Sequence, residues 1–402
     1  MQKLFISFVL TFVLVTNISC QHNTGQRIYT GAERTTLYFP YLEDKNVAIV
    51  TNHTSIIDST HLLDTLLSSQ IQVKKIFSPE HGFRGDGDAG EYIDNFTDKK
   101  SGLPVISLYG KNRKPQQNDL KDVDVVVFDI QDVGVRFYTY ITTMHYVMEA
   151  CAETDTELII LDRPNPNGFY IDGPILDIEY RSFVGMHPIP LVHGMTMGEL
   201  ACMINGEGWL EDQKVCNLDI MPCKNYTHDS LYKLPVKPSP NLPNMRSIYL
   251  YPSLGLFEGT VINVGRGTNF PFQVYGHPDF KWGVIEYRPD SVEGASANPK
   301  HKGQLCYGID LRHIQMDRLI ENPGIRISWL KQARERVPDA DSFFLPFFKR
   351  LVGTLSLKRA LESGESVQNI KESWEKPLEE FQRKRKKYLL YEDFIQEKEE
   401  AR

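Results

Sequence analysis

From residue 46 to about residue 222 the chain alternates short, apolar, β-branched runs with stretches of helical spacing. Apolar runs without in/out alternation are buried on both faces, and parallel neighbours need crossover helices. The pattern therefore dictates an α/β domain built on a parallel sheet. The expected strands are Val47 to Val50, Val73 to Phe77, Val105 to Leu108, Val123 to Phe128, Leu158 to Leu161 and Leu218 to Met221. Helices are expected near Asp58 to Ser69, Thr139 to Glu153 and Thr196 to Asn205. The last of these opens with a capping box, Thr196 as N-cap and Glu199 three residues on.

Proline-rich text from Leu234 to Pro243 breaks this rhythm and reads as a connector. Residues 250 to 340 then mix aromatics, glycines and isolated short strands, which suggests a smaller α+β domain. The stretch from Ser366 to Arg402 is charged with helical spacing, and its Arg383 to Lys387 run reads as a solvated helix face. With 402 residues the chain exceeds the usual span of one core. The expected division is a parallel-sheet domain over residues 45–240 and a C-terminal domain over 250–402.

The first twenty residues have a different logic. Lys3 supplies a positive start, Leu4 to Val15 is an apolar run too short for a comfortable membrane span, and small residues follow. This reads as an export signal, residues 1–20, whose Ser19-Cys20 ending resembles that of a bacterial lipoprotein. Lipidation of Cys20 is expected, which would place the mature protein in the periplasm or cell envelope, touching the membrane only through its anchor. Ordinary cleavage nearby, leaving a free thiol, is the alternative. Cys151, Cys202, Cys216, Cys223 and Cys306 show no C-x-x-C spacing, so neither a zinc ribbon nor a dithiol site is expected. Cys216 and Cys223 could pair in an oxidising compartment or remain buried thiols. A net charge of -7 argues against nucleic acid as a partner, which needs a basic face. An anionic substrate would instead have to be met by locally placed arginines.

In open parallel sheets, ligands bind beyond the carboxyl ends of the strands. Polar residues crowd there: Thr51-Asn52-His53, Ser78-Pro79-Glu80-His81-Gly82, Asp129-Ile130-Gln131-Asp132 with Arg136 and Tyr138, and Asp162-Arg163-Pro164-Asn165-Pro166. Four loops thus converge on one edge, which is read as a joint active site. Glycoside hydrolysis usually needs a protonated acid and a second carboxylate. Glu80, in a loop tightened by Gly82 and Gly85, is the expected acid, because partial burial favours the protonated form of a carboxyl. Asp129 and Asp132 are both candidates for its partner. Arg84, Arg136, Arg163 and Arg266 lie in loops where a planar guanidinium could clamp a ligand carboxylate. Arg136 is the first choice, with an internal Asp132–Arg136 pair as the competing reading. His81 and His193 could donate to sugar oxygens. Gly85 to Gly90 matches G-x-G-x-x-G, but Asp86 and Asp88 would repel a pyrophosphate.

Six ordered motifs carry a resemblance: Ser78-Pro-Glu-His-Gly-Phe-Arg-Gly85, Leu103-Pro-Val-Ile-Ser-Leu-Tyr-Gly110, Phe128 to Tyr140, Asp162-Arg-Pro-Asn-Pro166, His193-Gly-Met-Thr196 with Gly198-Glu-Leu-Ala201, and Val264-Gly-Arg-Gly-Thr268. Over residues 45 to 400 the chain resembles the exo-β-N-acetylmuramidases. The resemblance implies a Rossmann-like domain, a smaller C-terminal domain and a cleft between them. It implies release of β-linked N-acetylmuramic acid from the non-reducing end of peptidoglycan fragments, MurNAc-GlcNAc saccharides, with no cofactor. By motif position it makes Glu80 catalytic, adds Asp129, Asp132, Arg136 and Tyr138, and puts Arg163, Asn165, Glu258 and Arg266 along the site; Asn52 and His81 fall in the same strand-end loops. A 2-acetamido sugar can also supply its own nucleophile. Two other readings compete: a metal-dependent hydrolase using His81, Asp129, Asp132 and His193, and a non-catalytic muropeptide-binding lipoprotein.

Overall fold

The computed structural model describes residues 26–84, 94–337 and 339–394. Cys20 with its export segment and the Gly85 to Gly90 loop lie outside them. Six parallel strands form where the apolar runs stand: β1 (Val47–Thr51), β2 (Val73–Ser78), β3 (Pro104–Ser107), β4 (Val125–Asp129), β5 (Glu157–Leu161) and β6 (Leu218–Met221). They lie in the order β3-β2-β1-β4-β5-β6, with a two-residue antiparallel strand, Phe96–Thr97, outside β3. That is the Rossmann order, in which the chain direction across the sheet reverses between β1 and β4.

The apolar runs are explained by their two faces. Val47 and Ile49 of β1 join one cluster with Leu62, Leu63 and Leu66 of helix α1 (Leu62–Ser68). Ala48 and Val50 join another with Met144, Val147 and Met148 of α2 (Tyr140–Thr154) and Leu200 of α3 (Met197–Gly206). Burying one such aliphatic side chain is worth about 1.5–3 kcal/mol, so neither face tolerates a polar residue. Helix α3 starts as expected: Thr196 Oγ1 accepts from Glu199 N, and Glu199 Oε2 accepts from Thr196 N. Helix α1 starts later than the spacing suggests. Ile56–Ile57 pairs with Thr60–His61 in a small hairpin around Asp58 (φ +53), and His61 Nδ1 then caps the helix.

The C-terminal part has helix α4 (Met245–Leu254), an antiparallel sheet in which β9 (Cys306–Asp310) lies between β7 (Val274–His277) and β8 (Ile285–Tyr287), and a long helix α5 (Val367–Arg385). Its Leu254, Phe257, Phe272 and Trp374 belong to the same cluster as Val135 and Phe137 beyond β4, so both parts of the chain share one core.

Three readings become more specific. The Leu234 to Pro243 stretch is no free connector: Ser239, Asn241 and Leu242 are buried, Tyr138 donates to Pro238 O at 2.9 Å, and Lys237 O meets His53 Nε2 at 2.8 Å. The Arg383 to Lys387 run is not wholly solvated, because Arg385 is buried, donating to Gly194 O and pairing with Asp393. Cys216 and Cys223 do not pair. Both are free thiols; Cys216 lies against Cys151, and Cys223 Sγ is 3.3 Å from Asp162 O. Among the described residues no helix is long and apolar enough to cross a membrane.

Candidate active site

Strand β2 ends at Ser78 and the chain turns at once. Gly82 N donates to Pro79 O at 3.0 Å, and His81 sits at φ +70. A non-glycine residue in that region is strained and persists only where its surroundings hold it. The turn brings the Glu80 carboxylate to the start of α2, where Thr139 Oγ1 donates to Oε2 at 2.7 Å. Tyr109, just beyond β3, donates to the same carboxylate; burial and then the Glu80 charge push its phenol up to about 12. A hydroxyl donates to a carboxylate and can equally accept from a carboxylic acid. The two neighbours therefore serve both protonation states of Glu80.

A cavity of about 300 Å³ opens beside Glu80, at the lower end of the range for small-ligand sites. Its aromatic wall is Phe137, Tyr138, Tyr140, Tyr251 and Phe272, with Phe183 and the exposed Phe347 also lining it. Tyr138 and Tyr140 meet edge to face at 4.8 Å, and Tyr140 OH accepts from Asn52 Nδ2 at 2.9 Å. Asn52 is fully buried, its Oδ1 taken by Thr54, so it positions Tyr140 from behind. Ser239 and Asn241 add polar groups from the proline-rich stretch.

Opposite in sequence but on the same cavity stand Glu258 and Arg266. Arg266 Nε and Nη2 reach Glu258 Oε1 and Oε2 at 2.6 and 3.0 Å, a two-point pair. Burial opposes the charge on Glu258, but Arg266 outweighs it and holds the carboxyl below its usual range. The guanidinium also lies over the Phe272 ring, 5.1 Å from its centroid.

Of the expected site residues, the structure brings Glu80, His81, Tyr138, Glu258 and Arg266 to this cavity. The others stand elsewhere. Asp129 and Arg163 form a buried pair, Nε to Oδ1 2.5 Å and Nη2 to Oδ2 2.9 Å, and Arg163 borders a separate, open depression of about 580 Å³ with Ile56, Asp58 and Tyr232. Asp132 is buried and accepts from Gly134 N at 2.6 Å; burial without a cationic partner pushes it up to about 7. Arg136 makes no pair with Asp132 and does not reach the cavity as a clamp. Its guanidinium is 2% exposed and donates to four backbone carbonyls. Asn165 is buried between Met195 O and Asn167 N. His193 is buried as well: Nδ1 accepts from Met195 N, and burial lowers its pKa to about 3. Arg84 is half exposed and paired with Asp98. His81, Asp129, Asp132 and His193 thus have separate partners or places, and among the described residues no group of three or more His, Cys, Asp or Glu could hold a metal ion.

Sequence reading missed Tyr109, Thr139, Tyr140, Phe183, Tyr251 and Phe347. Tyr109 and the Thr139-Tyr140 pair lie inside motifs already noted, so their position just past β3 and β4 was the available signal. No local signal marks Tyr251 or Phe347.

With this geometry in place, comparison with known proteins is informative. Residues 47–246 match the family described as exo-β-N-acetylmuramidase NamZ, N-terminal, and residues 249–391 match its C-terminal counterpart. The chain is 41% identical over 374 residues to the peptidoglycan β-N-acetylmuramidase NamZ of Bacillus subtilis, covering 88% of this chain and 89% of that protein. Two crystal structures of DUF1343 family proteins from Bacteroides fragilis share the fold. One is 48% identical with a TM-score of 0.85, covering 92% of this chain and 100% of the other. The second is 30% identical with a TM-score of 0.77, covering 91% and 99%. The chain belongs to the exo-β-N-acetylmuramidase NamZ family.

Proposed function

We propose that this protein is an exo-acting glycosidase that removes β-linked N-acetylmuramic acid from the non-reducing end of peptidoglycan fragments, with MurNAc-GlcNAc saccharides as substrates. The observation that carries this reading is the cavity itself: a carboxyl group, Glu80, held by two hydroxyls on one side, and an arginine, Arg266, on the same cavity. Glu80 protonates the glycosidic oxygen as the bond breaks. Glu258 is tied in two places to Arg266, which leaves the 2-acetamido group of the substrate as the candidate nucleophile, a recognised route for such sugars. Membership of the NamZ family supports the reading over a binding-only protein.

Muramic acid differs from N-acetylglucosamine by a lactyl ether with a carboxylate, and Arg266 is the group on the cavity suited to grip it. A guanidinium has five N–H donors and Glu258 uses two. The test is hydrolysis of chromogenic N-acetylmuramic acid and N-acetylglucosamine glycosides by the wild type and Arg266→Ala. The variant should lose about 10- to 150-fold in kcat/KM on the muramic acid glycoside, the value of one charge-assisted hydrogen bond. The N-acetylglucosamine glycoside should be affected much less. An unchanged preference would move lactyl recognition to Arg84 or to backbone amides, and a wild type inert on both would sink the glycosidase reading.

The protein works at the cell envelope in this proposal, exported by its first twenty residues and tethered through a lipid on Cys20. The motivation is the apolar run ending Ser19-Cys20. Cys20→Ala should abolish lipid labelling and release the protein from membranes while leaving hydrolysis intact, since Cys20 precedes β1 (Val47–Thr51) by more than twenty residues. Equal membrane retention by the variant would refute the anchor.

A further inference from the structure

Behind the cavity wall that carries Glu258 and Arg266 lies the half-buried ammonium group of Lys300. Lys300 Nζ is 3.0 Å from Phe257 O, 2.9 Å from Glu258 O, 2.5 Å from Thr260 O and 3.3 Å from Ile262 O. These carbonyls come from the short 3-10 helix Gly255–Gly259 and the residues that follow it. Carbonyls at a helix end carry its negative partial charge and mostly lack donors within the helix; here Phe257 O accepts from the cap residue Thr260. Four of them turned toward one point repel each other unless a cation or several donors stand between. The ammonium supplies both, with a full charge and three N–H groups.

The residues beside Lys300 complete the contact. Lys300 O accepts from Asn263 Nδ2 at 2.9 Å, and His301 Nε2 meets Val261 O at 2.7 Å. Pro299 covers Gly267, which has φ +83 and where an added Cβ would come 2.5 Å from the proline Cγ. Residues 299–301 are therefore packed along the whole 257–267 arm. The charged groups facing Lys300 are Glu258 and Arg266. Burial lowers its pKa to about 8, with Glu258 favouring and Arg266 opposing the charge, so the ammonium form prevails at pH 7.

We infer that Lys300 is a positioning residue for substrate recognition: a tethered cation around which residues 257–267 fold, so that the Glu258–Arg266 pair faces the cavity. The inference rests on the proposed role of Arg266 in gripping substrate. Without the ammonium, Phe257 O keeps Thr260 N and Oγ1 as donors, but the carbonyls of Glu258, Thr260 and Ile262 must separate to find water, and the arm that holds Arg266 against Phe272 moves with them.

The test combines an activity readout with one that does not depend on activity. K300M keeps the side chain out to the position of Cε and removes charge and donors. It should raise KM for the chromogenic muramic acid glycoside by about 10-fold or more, the loss expected when one charge-assisted contact is misplaced. Its backbone amides over 257–267 should lose hydrogen-exchange protection while those of β1 and β4 keep theirs. K300A removes the side chain beyond Cβ, and n-propylammonium replaces Cγ to Nζ; it should restore activity, whereas tetramethylammonium, with charge but no N–H, should not. K300Q, which keeps two N–H donors, is the second variant should K300M fail to fold, and the same losses are expected of it. Wild-type KM and wild-type protection in the folded variant would overturn the inference, as would equal rescue by both ammonium salts. If the wild type fails to cleave the glycoside, the functional reading falls, and the protection of 257–267 in K300M against wild type still decides the role of Lys300.

Discussion

Glu80→Gln is expected to lower kcat on a MurNAc-GlcNAc disaccharide by about 10²- to 10⁴-fold, the range for loss of a general acid. The substitution keeps the shape of the side chain and one carbonyl oxygen to accept from Thr139 Oγ1, which now donates at 2.7 Å. What disappears is the transferable proton. The fold should be unaffected, because Glu80 itself is half-buried against the cavity in the turn beyond β2 and is not in either apolar cluster. An aryl glycoside whose leaving group departs without protonation should lose far less than the disaccharide. KM should change little, since binding in the cavity falls mainly to the aromatic wall and Arg266. Equal losses on both substrates would point to a positioning role for Glu80. Activity within about threefold of wild type on the disaccharide would assign the acid elsewhere.

The same turn shows what could be read from sequence and why. The central strands β1, β4 and β5 are buried on both faces and so appear as nearly unbroken apolar runs, and all six parallel strands stand within about two residues of expectation. Thr196 and Glu199 encode a helix start in the chemistry of two side chains and their spacing, so the start could be located to the residue. Glu80 was legible because the end of an apolar strand, a proline and a glycine fix a tight turn within five residues. The hairpin before α1 was not, because Ile56 and Ile57 fit an amphipathic helix as well as a strand until pairing with Thr60 and His61 decides between them.

The site's other wall was harder to foresee, for a physical reason. A polar loop residue looks alike in sequence whether it meets a ligand or the protein's own backbone. Asp129 and Arg163 stand in adjacent strand-end loops and satisfy each other; Asp162 holds Gly198 N, Thr196 Oγ1 and Tyr391 OH at the start of α3. These groups crowd the same sheet edge as Glu80 and yet serve the framework. Conversely, Tyr251, Glu258, Arg266 and Phe347 reach the cavity only because the C-terminal part shares the core of the parallel sheet. No spacing in the chain announces a meeting between residue 80 and residue 347. Motif resemblance supplied Glu258 where periodicity could not, and Arg266 was one of four loop arginines that sequence alone could not rank.

Arg136 is the sharpest case, and its replacement should have the largest effect on stability. The side chain follows Asp132 by four residues and precedes Tyr138, a spacing that suits a carboxylate clamp. In the structure its Nη1 donates to Pro174 O at 2.9 Å and Ile189 O at 2.6 Å, and its Nη2 to Leu351 O at 3.2 Å and Val352 O at 2.5 Å. Burial, with no carboxylate opposite, lowers its pKa to about 9. The guanidinium thereby ties the loop after β4 to residues 174–189 and to the helix Phe348–Val352, three segments far apart in the chain. Arg136→Met conserves much of the volume but leaves the buried carbonyls of Pro174, Leu351 and Val352 to find water or remain unsatisfied, while Ile189 O keeps Leu176 N. Each unsatisfied buried acceptor costs about 1–3 kcal/mol, partly offset because the charge no longer has to be desolvated, so a net loss of about 3–5 kcal/mol is expected. Denaturant unfolding measures it directly. The fraction that remains folded should show equal losses on muramic acid and N-acetylglucosamine glycosides, because Phe137 and Tyr138 shift the cavity wall for every ligand alike. A variant of unchanged stability that loses only its preference for muramic acid would return Arg136 to the role of lactyl clamp and take it from Arg266.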